Sequence, residues 1–142
     1  MTENQIKANN YLNDIRNIEK GLKNKRDELE ALRYKASGAG AIRYDKEHIQ
    51  VTPQDYMALT MADIIEIEKQ IKEDEESIEG KKGQAYALVR KMQQPEHRIL
   101  IEWFYFNGIS MIETADRMHM SERSAYYLRD DALEVYGKIM QN

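Results

Sequence analysis

The amino-acid sequence predicts an all-α protein, built as a long antiparallel helical hairpin of coiled-coil type followed by a small helix-turn-helix unit. The 142 residues include only seven glycines and two prolines, and 32% of them are charged, a composition typical of helical proteins. Two long stretches repeat apolar residues at spacings of three and four, and the C-terminal third contains two helix-start signals. We therefore divide the chain into a hairpin and oligomerisation region, residues 1–93, and a C-terminal domain, residues 94–142.

The first helix is predicted over about residues 5–34. A stripe of residues recurs there at alternating spacings of three and four, which places them on one face of a helix. The stripe consists of Ala8, Tyr11, Ile15, Ile18, Leu22, Lys25, Leu29 and Leu32. Such a face is buried only against another long helix.

The second helix is predicted to begin at Pro53, behind a cap at Thr52, because proline suits the first helical position. The same spacing runs through Met57, Thr60, Ile64, Ile67, Ile71, Asp74, Ile78, Lys81, Ala85, Leu88 and Met92. Gly80 and Gly83 are its weak points, since each glycine costs about 1 kcal/mol relative to alanine inside a helix. We expect a kink or a break there in a helix that otherwise continues towards Gln93.

A single connection, residues 36–52, joins the two predicted helices, and it is longer than most links between helices. The helices either fold back on each other or cross to a second subunit, so self-association into a homo-oligomer is expected. Lys25, Asp74 and Lys81 are polar positions on the stripes, which we interpret as register devices or exposed ends. The sequence does not fix the register.

Charge and composition exclude several functions. The formal net charge of −4 argues against a protein that coats nucleic acid without sequence preference, since such binding depends on phosphate neutralisation. A basic cluster, Lys81, Lys82, Arg90 and Lys91, precedes the C-terminal domain and is either a phosphate contact or a solvated helix end. There is no cysteine and no long uncharged apolar run, which predicts a cytoplasmic protein without a membrane partner.

The sequence contains no catalytic constellation, so we do not expect an enzyme. His48, His97 and His119 lie in different segments, and no glycine-rich phosphate loop follows a strand. Glu96 and His97, with Glu102 nearby, are the only arrangement resembling metal ligands, but no second histidine follows at helical spacing. We therefore predict neither a metal nor a cofactor.

The residues after Pro95 predict a support helix. Its apolar residues are Ile99, Leu100, Trp103, Phe104 and Phe106. Aromatic residues at this density beside a small helical unit are usually core, so we assign them to the core rather than to base stacking. Asn107 and Gly108 then form a helix stop.

The segment from Ser110 to Arg129 has the pattern of a helix-turn-helix. Ser110 and Glu113 form a capping box for its first helix, and Ser121 is an N-cap for its second. The predicted inward positions are Ala115, Met118, Met120, Ala125 and Leu128. His119 stands where the turn often has glycine, and histidine tolerates the left-handed backbone better than most residues. An amphipathic helical pair that never meets DNA is the alternative interpretation.

The outward face of the second helix makes double-stranded DNA the first candidate partner, because its side chains can reach phosphates or base edges from the major groove. These residues are Ser121, Glu122, Arg123, Ser124, Tyr126 and Tyr127, with Arg129 following. Residues 94–142 are accordingly the predicted DNA-binding domain. Glu122, Asp130 and Asp131 place negative charge near the same face.

The residues from Gly108 through the Met118–Ser124 turn to Glu134 resemble the ArpU/RinA-type phage transcriptional regulators, whose C-terminal end is similar to sigma-70 region 4. The match covers about the last third of the chain. It implies a phage- or prophage-encoded regulator of late genes in the cytoplasm of a Gram-positive host, with RNA polymerase as a further candidate partner. The family commonly has a Tyr-Arg pair where this chain has Tyr126 and Tyr127, so Arg123 and Arg129 carry more of the expected electrostatic contact.

The alternative function is a helical scaffold that acts through its coiled-coil hairpin. In that case the C-terminal domain only packs or dimerises. The face from Ser121 to Arg129 discriminates between the two, since a scaffold has no reason to keep it polar, cationic and aromatic together.

Overall fold

The computed structural model describes residues 1–37 and 53–142, and over these residues the chain is all-helical, which confirms the predicted fold class. The helices are α1 (Glu3–Ala36), α2 (Pro53–Val89), α3 (Pro95–Ile101), α4 (Met111–Arg117) and α5 (Glu122–Met140). A π-helical turn, Glu102–Phe106, continues α3. Most of the predicted connection, residues 36–52, and the proposed cap at Thr52 lie outside the described residues.

The chain forms two compact units whose bounds differ from the predicted boundary between residues 93 and 94. One unit comprises residues 21–76, and the other comprises residues 1–20 together with residues 77–142. The beginning of α1 and the end of α2 therefore belong to the same compact unit as the helix-turn-helix. We call this the C-terminal unit, and residues 21–76 the hairpin unit.

In the hairpin unit, α1 packs antiparallel against α2 through the predicted stripes. Its buried residues are Leu22, Leu29, Thr60, Ile64, Ile67 and Ile71. Three ion pairs connect the helices: Lys25–Asp74 at 2.6 Å, Arg26–Glu75 at 3.2 Å and Arg33–Glu68 at 3.5 Å. Lys25 and Asp74 thus pair with each other, as expected of register devices. Half-exposed pairs contribute little free energy, so these three pairs add little to the stability of the hairpin unit.

The inward face of α2 departs from the predicted stripe at both ends. Met57 is 38% exposed. Beyond Ile78 the predicted Ala85 and Met92 are buried, but two other inward positions shift by one residue. Lys81 is exposed, whereas Lys82 is half-buried and contacts Glu19 at 3.1 Å. The inward positions Asp74, Ile78 and Lys82 are spaced by four residues twice in a row. This spacing compensates for the difference between the heptad average of 3.5 residues per turn and the 3.6 residues per turn of an α-helix. Val89 is consequently buried where Leu88 was expected.

α2 passes through Gly80 and Gly83 without a break and ends at Val89. The helix break that we considered at these glycines is therefore absent from the described structure. Neither glycine has a neighbouring atom within 4 Å of an added Cβ. Packing on the opposite face of α2, at Ile78 and Ala85, offsets the poor helix propensity of the glycines.

The aromatic core of the C-terminal unit is only partly the predicted one. Phe106 is buried, Trp103 and Phe104 are half-buried, and Ile99 is 38% exposed, whereas Tyr105 is fully buried. The π-helical turn explains the difference: the Asn107 N–H donates to the Glu102 carbonyl at 2.9 Å, and this wider turn changes which side chains face inward. The Tyr105 hydroxyl donates to Asn9 Oδ1 at 2.7 Å, and burial raises the pKa of its phenol.

The first residues of α1 pack against α5 and complete this unit. Tyr136 is fully buried and its ring stacks with that of Tyr11 at 6.3 Å between centroids. The Gln5 amide donates to the Asp130 carbonyl at 3.0 Å, and Gly137 lies directly against the backbone of Asn4. These contacts explain why residues 1–20 cluster with residues 77–142.

Candidate nucleic-acid interface

α4 begins as the sequence predicts, although only half of the capping box forms. The Ser110 hydroxyl accepts from the Glu113 N–H at 3.2 Å, which satisfies one donor without a helical partner. The Glu113 carboxylate contacts Arg117 at 2.9 Å, one turn further along the helix. The Glu113 carboxylate thus pairs with Arg117 at the end of α4 and not with the Ser110 N–H, as a complete capping box would require.

The turn between α4 and α5 is held by a left-handed residue. His119 has φ 57°, which confirms the conformation expected of the residue that replaces glycine. The following N–H, of Met120, donates to the Ala115 carbonyl at 3.0 Å. This closes the end of α4 in the manner of a helix C-cap and redirects the chain into α5.

α5 begins at the predicted cap and packs on α4 through the small residues that the pattern places inside. The Ser121 hydroxyl accepts from the Ser124 N–H at 3.1 Å. Met111, Ala115 and Ala125 form a buried cluster, with Phe104 and Met120 packed against it. Met118 and Leu128, the other predicted inward positions, are half-buried. Two of the three buried residues in this cluster are thus alanines.

Six of the seven predicted DNA-contacting residues lie exposed on the first two turns of α5 or at its cap. They are Ser121, Glu122, Arg123, Ser124, Tyr126 and Tyr127. We call this set the α5 face. Its tyrosines are among the exposed large apolar side chains of the described residues, Tyr126 at 40% and Tyr127 at 58%.

Arg123 is positioned by Tyr127, one turn further along α5. Its Nε donates to the Tyr127 hydroxyl at 3.2 Å, and its guanidinium carbon lies 5.7 Å from the centre of the tyrosine ring. Among the described residues its two Nη groups meet no acceptor. The terminal fork is therefore oriented and free to bind an external acceptor in bidentate fashion.

Arg129 differs from the other six residues. Its side chain is only 20% exposed, and both Nε and Nη2 donate to Asp130 Oδ1, at 3.3 and 3.0 Å. Its guanidinium also lies 5.0 Å from the centre of the Tyr126 ring. A carboxylate already neutralises Arg129, so Arg123 is the one cation of the predicted set without a carboxylate partner in the described part of the chain.

Two further arginines shape this interface, and the sequence pattern did not identify either of them. Arg117, exposed at the end of α4, lies 5.6 Å from the centre of the Trp103 ring. Arg16, on α1, donates to the Phe104 carbonyl at 3.0 Å and lies 4.2 Å from the centre of its ring. Arg117 also forms the ion pair with Glu113. Arg16 anchors the segment before α4, and no local signal could have indicated a contact 88 residues away in the chain.

The electrostatic character of the α5 face is close to neutral. Glu122, Arg123, Tyr126, Tyr127 and Asp130 line a shallow depression of about 420 Å³. One free guanidinium, two phenol hydroxyls and the Ser124 hydroxyl can donate to phosphates or base edges. The Ser121 hydroxyl already donates to Ser124 Oγ at 2.9 Å. Such a face can bind phosphates or base edges through hydrogen bonds and through the single free positive charge of Arg123.

Within residues 1–37 and 53–142, no three histidine, aspartate or glutamate side chains come together as metal ligands would. No helix in the same part of the chain is long and apolar enough to cross a membrane.

Comparison with known proteins gives no relative on which to base an assignment. No protein-family model matches the chain, and no similar curated protein or solved structure was found. The resemblance to phage regulators therefore stays a prediction.

Proposed function

We propose that this protein is a sequence-specific DNA-binding transcriptional regulator, acting in the cytoplasm of a bacterial host on phage or prophage late genes. The observation that carries the proposal is the α4–turn–α5 arrangement. Two capped helices are joined by a left-handed residue, and the second presents an exposed polar face that begins with an oriented arginine. In helix-turn-helix proteins the first residues of the second helix contact base edges in the major groove. RNA polymerase is a further proposed partner, and we propose no catalytic role.

The charge of the α5 face limits how the protein binds DNA. Proteins that rely on phosphate neutralisation carry many free cations, whereas this face has one, Arg123. We therefore expect weak binding to arbitrary DNA and a shallow salt dependence. Affinity for a specific sequence must come from base-edge hydrogen bonds and from a second copy of the reader in an oligomer.

Arg123→Ala is expected to abolish most of the sequence preference. A bidentate arginine–guanine contact accounts for roughly 1 to 3 kcal/mol of discrimination, whereas a phosphate contact would lower affinity for all duplexes and reduce the salt slope by about one. Duplexes enriched from a random pool by the wild-type protein serve as specific probes, with scrambled duplexes for comparison. Fluorescence anisotropy at several salt concentrations separates the two outcomes.

Arg26→Ala is the matched control, since Arg26 is also exposed but lies in the hairpin unit, paired with Glu75. It should bind both duplexes as the wild type does. If no duplex is enriched, or if Arg123→Ala and Arg26→Ala bind alike, the α5 face is not the reader. Circular dichroism establishes that both variants remain folded.

A helical scaffold is the second candidate, and an apolar strip on α2 favours it. The strip comprises Met57, Ala58, Met61, Ala62 and Ile65, all exposed, with Ile65 at 65%. These positions repeat at i, i+4 and i+8, so they occupy one side of α2 that lacks a partner in the described residues. The strip also supplies a surface for the proposed homo-oligomer, which suits either function.

Met61→Lys combined with Ile65→Lys is expected to convert an oligomer into a monomer. Burial of each side chain against a second copy would contribute about 1.5 to 3 kcal/mol, and a buried lysine reverses that gain. Light scattering across a range of protein concentrations measures the mass. Lys72→Gln, at an exposed position of α2, is the control. A wild type that remains monomeric at all concentrations, or a double variant with unchanged mass, would rule out the strip as the interface.

A further inference from the structure

A second polar site lies at the far end of α5 from the α5 face. A cavity of about 290 Å³ opens there between the segment before α3, α3 itself and the last turns of α5. Its polar lining residues are Lys91, Gln93, Gln94, His97, Lys138 and Asn142. No aspartate or glutamate side chain lines it. The cavity lies wholly within the C-terminal unit.

His97 is the central observation, because it is a buried polar side chain without a partner. Its residue exposure is 5%, and its Nδ1 is inaccessible and has no hydrogen-bond partner. His97 lines the cavity, and Nε2 is not among the inaccessible unpaired atoms, so Nε2 is the ring nitrogen that an occupant can contact. The unpaired Nδ1 costs about 1 to 3 kcal/mol, and no occupant of the cavity can satisfy it, because this atom is inaccessible. The ring atom available to an occupant is therefore Nε2.

Two lysines beside the cavity form no ion pair within the described residues. They are Lys91 and Lys138, which both line the cavity. The Gln94 side chain does not cap α3 although it stands at the N-cap. Arg98, by contrast, donates to the Met92 carbonyl at 2.6 Å and is already engaged. Two lysines, a histidine and three residues with side-chain amides therefore line one space.

The last turns of α5 bring negative charge towards the cavity. The carbonyl end of a helix carries a partial negative charge, and Lys138 stands in the last turn and offsets it. Glu134 interacts electrostatically with Lys138, but Thr2 and Asn4 donate to its carboxylate, and these hydrogen bonds lower the pKa of Glu134. Among the side chains that line the cavity, the charged ones are Lys91 and Lys138.

We propose that this cavity binds a small phosphate-bearing molecule. Ammonium groups suit phosphate as point charges, and the imidazole and amide supply directional hydrogen bonds. The volume is just below the usual range for drug-sized ligands, which begins at about 300 Å³, so a small anion fits better than a nucleotide. Lys138 lies 15 residues after Arg123 on α5, about 22 Å along the helix at 1.5 Å per residue.

The occupant would contact both α3 and α5, and it would therefore stabilise the C-terminal unit. This site does not depend on the proposed DNA binding. The phosphate-bearing ligand would nevertheless contact α5, the same helix that carries the α5 face.

The test uses the full chain, labelled with ¹⁵N, and inorganic phosphate as the probe. We expect millimolar phosphate to shift the ring nitrogen resonances of His97 in a saturable manner, while those of the exposed His119 remain unchanged. His119→Gln and His48→Gln assign the signals. Sodium chloride at matched ionic strength separates phosphate binding from a general salt effect.

Lys91→Gln combined with Lys138→Gln tests the site without disturbing the buried histidine. The double variant should bind phosphate more than about tenfold more weakly, since charge-assisted hydrogen bonds are the strongest ones lost. Lys81→Gln, an exposed lysine of the same unit, should bind like the wild type. Absence of a saturable His97 shift, or equal phosphate affinity in the double variant, would overturn the proposal.

A DNA titration distinguishes the free molecule from a phosphate of the DNA backbone. If a free molecule is the occupant, the double variant should bind DNA with an unchanged salt slope. A slope that falls by about two, with phosphate competing against DNA, would identify the cavity as a backbone contact and overturn the assignment to a small molecule.

Discussion

Gly137→Ala is expected to destabilise the C-terminal unit by about 2 kcal/mol or more, although alanine is the better helix former. A Cβ at this position would lie 2.8 Å from the carbonyl carbon of Asn4 and 2.9 Å from its Cβ. Most of the obstruction is backbone, which cannot rotate away as a side chain can. Overpacking of this kind typically costs 1 to about 3 kcal/mol, and α1 must separate from α5 to relieve it. Urea unfolding, followed by far-UV circular dichroism, measures the free energy of unfolding.

Gly83→Ala is the matched control. Gly83 is also a helical glycine of the C-terminal unit, but an added Cβ there meets no atom within 4 Å. The substitution should stabilise the protein by about 0.5 to 1 kcal/mol. Opposite signs for the two glycines would confirm the close approach of Asn4 to α5. A stabilised Gly137→Ala variant would contradict it.

The features predicted correctly from the sequence are those that neighbouring residues determine. The caps at Ser110 and Ser121 and the left-handed turn at His119 each depend on a few residues. The helix bounds follow from apolar periodicity and from Pro53 and Pro95. The exposed residues of the α5 face could be predicted for the same reason, because the inward positions of a short helix fix its outward ones.

The features that the sequence did not reveal depend on contacts between distant residues. The π-helical turn moved the core from Trp103 to Tyr105, and composition gives no signal for such a turn. The pairing of Arg129 with Asp130 and the guanidinium of Arg16 beneath Phe104 depend on side-chain orientation. The packing of residues 1–20 beside α5 is a tertiary contact, and the sequence of neither segment alone predicts it.

The packing of residues 1–20 beside α5 affects the stability expected of the isolated C-terminal domain, residues 94–142. A fragment of residues 94–142 should not fold, even though it contains the whole helix-turn-helix. In the full chain Tyr105 donates to Asn9, and Tyr136 stacks with Tyr11 and donates to the Ala85 carbonyl at 3.3 Å. The fragment would expose both tyrosines and lose these partners. Helices of seven and nineteen residues are marginal in water without tertiary packing.

Circular dichroism and NMR dispersion of the fragment, compared with the full chain, provide the measurement. We expect low helicity, no cooperative melting and consequently no DNA binding by the fragment. Leu12→Ala in the full chain reports on the same interface, since Leu12 is fully buried and its truncation should cost about 2 to 5 kcal/mol. Leu32→Ala, at a half-buried position of the hairpin unit, should cost less. A fragment that melts cooperatively would contradict this expectation and support a domain boundary between residues 93 and 94. The start of α1 would then only add stability to a domain that folds without it.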